Sequence, residues 1–178
     1  MLGKWKTLRS KVVYKKDSLG VNEETVDIPS KGKFFTNYVK LNDIVAVVAK
    51  TADNKILIVK QYRNPTRTFT FEIPGGYAEK KENLRRAALR ELEEETGFKA
   101  KKISKILSFY LHPGKMTTKV HIFFAESLVK TETKFDPSED IEIYQMSRET
   151  ILGHIKKENF QCSYSLLGVL YAIQKGLI

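Results

Sequence analysis

Cysteine is nearly absent from this sequence: Cys162 is the only one in 178 residues, so no intrachain disulfide is available to staple the fold. Histidine is scarce as well. His112, His121 and His154 lie far apart, without the ligand spacing of a zinc site. No apolar run approaches the length of a membrane span, and the opening residues MLGKWKTLRS lack the continuous apolar stretch of a secretory signal. Internal repeats and low-complexity linkers are missing too. These absences predict a cytoplasmic protein with no membrane partner.

What is present fits a globular enzyme-sized domain. Apolar residues make up 42% of the chain, interspersed with charge, and the length suits one domain with a sizeable core and a small additional layer. Lysine and arginine total 31 against 21 acidic residues, a net charge of +10 that favours polyanions such as nucleotides, RNA or an acidic membrane surface. Many of the lysines are scattered without the interleaved aromatics of a single-strand binder, which points to solvation and makes nucleic acid a secondary expectation.

Three short extended runs, KVVYKK, EETVDIP and FFTNYVKL, are separated by turn-forming SLG and SKGK and predict a small antiparallel layer. IVAVVAK (44 to 50) and KILIVKQY (55 to 62), joined at Asp53-Asn54, predict a buried hairpin. FTFEI, KISKILSFYL and KVHIFFAESL read as further strands. A helix is expected from about Asn83 to Thr96, stopped by Gly97. A final helical portion starts near Ser147, after the acidic turn KFDPSEDIEIY. The pattern is α/β, a mixed sheet covered on both faces.

The helix after Pro74-Gly75-Gly76 carries the chemistry. With Leu84 at zero and about 100° per residue, Ala87, Ala88 and Leu92 fall near 300°, 40° and 80°. Glu91 (near 340°) and Glu95 (near 20°) lie inside that apolar arc, and Glu94 (near 280°) lies at its edge, whereas Arg85, Arg86, Arg90 and Glu93 point outward. Like charges turned toward a core need neutralising. A hard divalent cation held by carboxylates at i, i+3 and i+4 does so, and Mg²⁺ or Mn²⁺ in such a site takes its remaining ligands from water and substrate phosphates. The alternative is a solvated helix laced with Glu–Arg pairs, which the wheel positions disfavour.

From Gly76 the segment reads Gly, five residues, Glu82, seven residues, then Arg90-Glu91-Leu92-Glu93-Glu94-Glu95-Thr96-Gly97-Phe98. It resembles the signature of the Nudix hydrolases, with Phe98 in a usually aliphatic position. The flanks, VKQYRNPTRTFTFEIPGGYAEKKEN and Pro113 sixteen residues after Gly97, resemble the ADP-ribose pyrophosphatase branch, with Gly75 where alanine is common.

The resemblance implies a Nudix α/β/α sandwich with a mixed sheet. Residues 43–178 would be the catalytic domain, and the β layer of residues 1–42 would serve homodimerisation and adenine binding. It implies that Glu91, Glu94, Glu95 and the Gly75 carbonyl hold Mg²⁺ or Mn²⁺ and that Glu82 and Arg90 form an internal ion pair. Glu139 in DPSEDIEI is the expected base for the attacking water, with Asp136 and Asp140 as alternatives, while Glu142 is assigned to the following strand. Arg63 suits a phosphate or the terminal ribose. Arg67, Pro113, Gly114 and Lys115 are further substrate contacts. Glu72 is assigned either to a sugar or to a structural pair, and Cys162 to partial burial without a nucleophilic role.

The expected reaction is metal-dependent hydrolysis of ADP-ribose to AMP and ribose 5-phosphate. Rival expectations are a nucleotide sugar, a dinucleoside polyphosphate or a capped RNA end as substrate, or a nucleotide-sensing or nucleic-acid-binding module without catalysis. An isomerase of prenyl diphosphates needs an active-site cysteine near the signature, and Cys162 is remote from it.

Overall fold

The computed structural model describes residues 3–131 and 140–178. Its elements in chain order are β1 (Lys6–Lys16), β2 (Leu19–Ile28), β3 (Gly32–Lys40), β4 (Ile44–Ala49), β5 (Ile56–Arg63), β6 (Thr68–Glu72), β7 (Gly75–Tyr77), α1 (Leu84–Thr96), β8 (Phe98–Tyr110), β9 (Lys119–Lys130), β10 (Ile141–Met146), α2 (Arg148–Lys156) and α3 (Ser163–Gln174). None of these helices is long and apolar enough to cross a membrane.

Contacts divide the described residues into two compact units, one within Met1–Asp43 and Tyr110–Lys119, the other within Ile44–Phe109 and Val120–Ile178. The first is the expected antiparallel layer, β1-β2-β3. The turn after Tyr110 joins it backbone to backbone: the Val39 N–H donates to the Lys115 carbonyl (2.8 Å) and the Thr117 N–H to the Val39 carbonyl (3.2 Å).

The second unit contains two sheets, β10-β5-β6 and β7-β4-β9-β8, with β4 parallel to β9 and antiparallel to β7. All six residues of β4 are buried, as are the first four of β5. The two runs do not form the expected hairpin. Only the Lys50–Ile56 bridge links them, after which β4 enters one sheet and β5 the other. Continuous apolar runs announce burial on both faces but carry no information on the pairing partner. Val45, Val47, Leu57, Ala87, Ala88, Leu92 and Phe123 form the core on which α1 lies.

The limits of α1 follow from local chemistry. The Asn83 side chain accepts from the Arg85 and Arg86 N–H groups at 3.0 and 3.2 Å, satisfying two orphan donors of the first turn. At the other end Gly97 adopts φ 67°, the left-handed conformation that glycine enters without a Cβ penalty, and its N–H returns to the Glu93 carbonyl. The final helical portion divides into α2 and α3.

Candidate active site

The buried residues of α1 are Ala87, Ala88, Glu91, Leu92, Glu95 and Thr96, the arc expected from the wheel. Glu91 is 9% exposed and Glu95 only 3%. Glu94 is partly exposed and Arg85 and Arg86 are exposed. Glu93 reaches Lys99 at 3.1 Å.

Arg90 departs from the outward position. Its Nη1 donates to Glu91 Oε1 (2.8 Å) and Glu94 Oε2 (3.0 Å), its Nε to Glu82 Oε1 (3.1 Å), and its Nη2 to Glu82 Oε2 (3.0 Å) and the Tyr77 carbonyl (3.3 Å). A wheel gives the direction of Cβ, whereas a long guanidinium stem curls toward local negative charge. The ion pair between Glu82 and Arg90 is thus present, within a wider clamp. The Glu79 N–H also donates to Glu82 Oε2, at 2.9 Å. The hydrogen bonds from Arg90 hold the Glu82 carboxyl below the usual carboxylate range, and in return the hydrogen bonds to Glu82 raise the guanidinium above its already high value.

β7 brings backbone to this helix face. The Gly75 N–H donates to Glu95 Oε2 at 2.9 Å. A Cβ on Gly75 would sit 2.3 Å from the Val45 carbonyl oxygen, which is why glycine suits this position in this chain. A Cβ on Gly76 would stand 2.7 Å from Glu91 Oε2, so the missing side chain leaves room for that carboxylate.

Among the described residues no three His, Cys, Asp or Glu side chains converge as a finished metal cage. Charge nonetheless favours a cation. Glu82, Glu91 and Glu94 gather around the Arg90 guanidinium, with Glu95 beside them on the Gly75 N–H, four carboxylates at a partly buried place. Carboxylate oxygens are the donors that hard divalent ions prefer, so the residues present fit Mg²⁺ or Mn²⁺.

Arg63, the last residue of β5, is paired in a fork with Glu72: Nε to Oε1 at 2.8 Å and Nη2 to Oε2 at 2.7 Å. Of the two roles the sequence left for Glu72, the structure shows the ion pair, and the carboxylate is 1% exposed. Hydrogen bonding to Glu72 raises the Arg63 guanidinium above its ordinary value. Tyr164 of α3 donates its hydroxyl to Glu72 Oε2 at 3.2 Å, a partner that sequence reading missed. Arg67 is exposed, in a turn whose N–H returns to the Arg63 carbonyl at 2.8 Å.

Pro113, Gly114 and Lys115 lie in the turn of the first unit, where Lys115 Nζ donates to Asn37 Oδ1 at 3.0 Å. Glu139 and Asp136 lie outside the described residues. Glu142 is on β10, as expected, and faces Lys60 at 3.4 Å. Cys162 precedes α3, and burial pushes its thiol up to about 11.

The NUDIX domain profile matches residues 40–162, more than half of the chain. The chain belongs to the NUDIX family. It is 39% identical to the ADP-ribose pyrophosphatase of Bacillus subtilis (strain 168), across 93% of this chain and 91% of that one. It is 32% identical to the methanol dehydrogenase activator of Bacillus methanolicus, with the same coverage of both chains. Among solved structures, one described as an ADP compounds hydrolase superposes with a TM-score of 0.86 over 99% of this chain and 97% of that one, at 18% identity, a likeness of fold. The α/β/α sandwich expected from the sequence is therefore the fold of this NUDIX protein.

Proposed function

We propose that this protein is a divalent-metal-dependent hydrolase that cuts the diphosphate linkage of ADP-ribose, releasing AMP and ribose 5-phosphate. The observation that carries the reading is the buried anionic excess on α1 beside the Gly75–Gly76 backbone. A structural helix has no use for it, whereas a diphosphate-cleaving site needs it. The likeness to the B. subtilis ADP-ribose pyrophosphatase supports the substrate.

Glu91, Glu94 and Glu95 are the side chains assigned to Mg²⁺ or Mn²⁺, with the Gly75 carbonyl beside them. When bound, such an ion supplies charge neutralisation on the phosphoryl oxygens and activation of water. Arg90, held by Glu82 along one edge of its guanidinium, would orient the carboxylates of Glu91 and Glu94 that hold such an ion. Glu95 keeps the Gly75 N–H, which fixes the backbone at the mouth of the signature. Arg63 presents the edge of its guanidinium not used by Glu72 to an anionic group of the substrate. Arg67, Pro113, Gly114 and Lys115 are assigned to further substrate contacts, and Glu139 to the base.

We further assign residues 1–42 to homodimerisation and the adenine side, and residues 43–178 to catalysis. Exposed apolar side chains on that first segment support this: Trp5, Val12, Tyr14, Phe34 and Phe35 are 60%, 54%, 48%, 47% and 66% exposed. The cytoplasm supplies the nucleotides and Mg²⁺ that this chemistry uses, and we place the protein there. The test is Mg²⁺-dependent AMP release from ADP-ribose, set against nucleotide sugars, diadenosine polyphosphates and capped RNA. Preference for another of these compounds would replace the substrate and keep the site.

A further inference from the structure

β6 is an edge strand of its sheet, and its outward polar groups are taken up by the segment entering α3. The Phe71 N–H donates to the Asn159 carbonyl (3.1 Å), and the Gln161 N–H donates to Thr70 Oγ1 (3.1 Å). Next along, the Tyr164 hydroxyl donates to Glu72 Oε2 (3.2 Å), and the Ile73 N–H donates to Ser165 Oγ (3.2 Å). Residues 159–165 thus form a polar clip along β6. Packing seats the clip as well: a Cβ on Gly168 would lie 3.0 Å from Ile73 Cδ1, so α3 rests closely on the residue after Glu72.

A buried carboxylate is stable only when its lone pairs are filled by well-placed donors. Arg63 fills two positions on Glu72, one on each carboxylate oxygen, and both come from a single side chain. The Tyr164 hydroxyl adds a third donor from a different element and ties the carboxylate of the pair to α3. Burial raises the Tyr164 hydroxyl well above its ordinary value, so it stays protonated and remains a donor. Arg63 meanwhile keeps 40% of its side chain exposed, with Nη1 outside the pair.

We propose that Tyr164 is a positioning residue for substrate binding: through Glu72 it fixes the guanidinium of Arg63 in the orientation that meets an anionic group of a nucleoside diphosphate compound. This rests on the assignment of Arg63 to substrate under the proposed function. The link acts on ground-state and transition-state binding alike, so its loss falls on KM.

The test is a cycle of Tyr164→Phe, Arg63→Ala and the double variant, with kcat and KM measured on ADP-ribose and Mg²⁺. Tyr164→Phe is expected to raise KM about three- to tenfold, the cost of one hydrogen bond, with kcat within about twofold of wild type. In the Arg63→Ala background the same change is expected to do nothing further. An unchanged KM, a loss confined to kcat, or an effect that multiplies that of Arg63→Ala would overturn the proposal. Nitrogen-15 NMR of the Arg63 Nε–H in the full chain separates this outcome from failure of the substrate assignment, because it needs no turnover. Slow proton exchange in wild type that quickens in Tyr164→Phe supports the link even if ADP-ribose is not cleaved. Fast exchange in wild type overturns it, whether or not the variant folds.

Discussion

Glu95 combines burial at 3% exposure with a hydrogen bond from the Gly75 N–H, so its charge is the feature to remove. Glu95→Gln keeps an acceptor for that N–H. We expect turnover at saturating Mg²⁺ to fall on the order of a hundredfold or more while the thermal transition persists, as steady-state kinetics and circular dichroism will read. Glu82 offers a pH test. Its pKa is depressed in the fold, chiefly by hydrogen bonds from Arg90, so its contribution to stability is present above the unfolded value of about 4.3 and is lost as pH falls through the lower folded one. Glu82→Gln is expected to flatten the acid limb of the stability curve below that value, as unfolding midpoints across pH will show. For Cys162, a thiol held near 11 leaves a thiolate fraction of about a thousandth at pH 8. Alkylation is expected to be slow in the folded protein and fast in denaturant. Glu91 and Glu95 were legible in the sequence because helical periodicity places them among alanines and leucine. Tyr164 was not, since its partner Glu72 lies 92 positions away and no local pattern links an α3 residue to the end of β6. The reach of Arg90 escaped for a different reason, the freedom of its long side chain.

At the scale of elements, α1 is the one whose limits the sequence states most fully. Asn83 and Gly97 were visible as start and stop because capping is chemistry of neighbouring residues. Asn83→Ala and Gly97→Ala are each expected to cost about 1 kcal/mol, the first through lost cap bonds and the second through a left-handed φ of 67°. In a chain of this size that corresponds to a fall of about 2–4 °C in the melting temperature. Scanning calorimetry of the two variants checks both. Strand existence was equally readable, but strand pairing was not. β4 and β5 look like a hairpin because a turn at Asp53-Asn54 separates two apolar runs, yet their partners β9 and β10 arrive from more than 60 residues downstream. Pairing of that range is decided by the packing of the whole core, which no window of the sequence contains.

For the whole molecule, charge and exposed apolar surface bear on assembly and ligand. A net +10 suits an anionic substrate, and every residue of β1 is exposed. The proposed homodimer predicts a mass from sedimentation equilibrium of twice the 20.5 kDa of the chain, reverting toward the monomer in Phe35→Glu, and a monomeric wild type at all concentrations would remove that assignment. The family was readable from the signature at Gly76 to Phe98, because spacing and helix geometry agree there. The residues of the clip along β6 were less so, because their partners lie far away in the sequence, where distance along the chain says little about position. The central claim is that the carboxylates of α1 serve metal-dependent cleavage of ADP-ribose. It is tested most directly by measuring AMP release from ADP-ribose by the wild-type protein with Mg²⁺ and after its removal by chelation. AMP formed only with the metal, faster than any nucleotide sugar, diadenosine polyphosphate or capped RNA is hydrolysed, is the predicted result. Folded protein that releases no AMP at any Mg²⁺ concentration would contradict it.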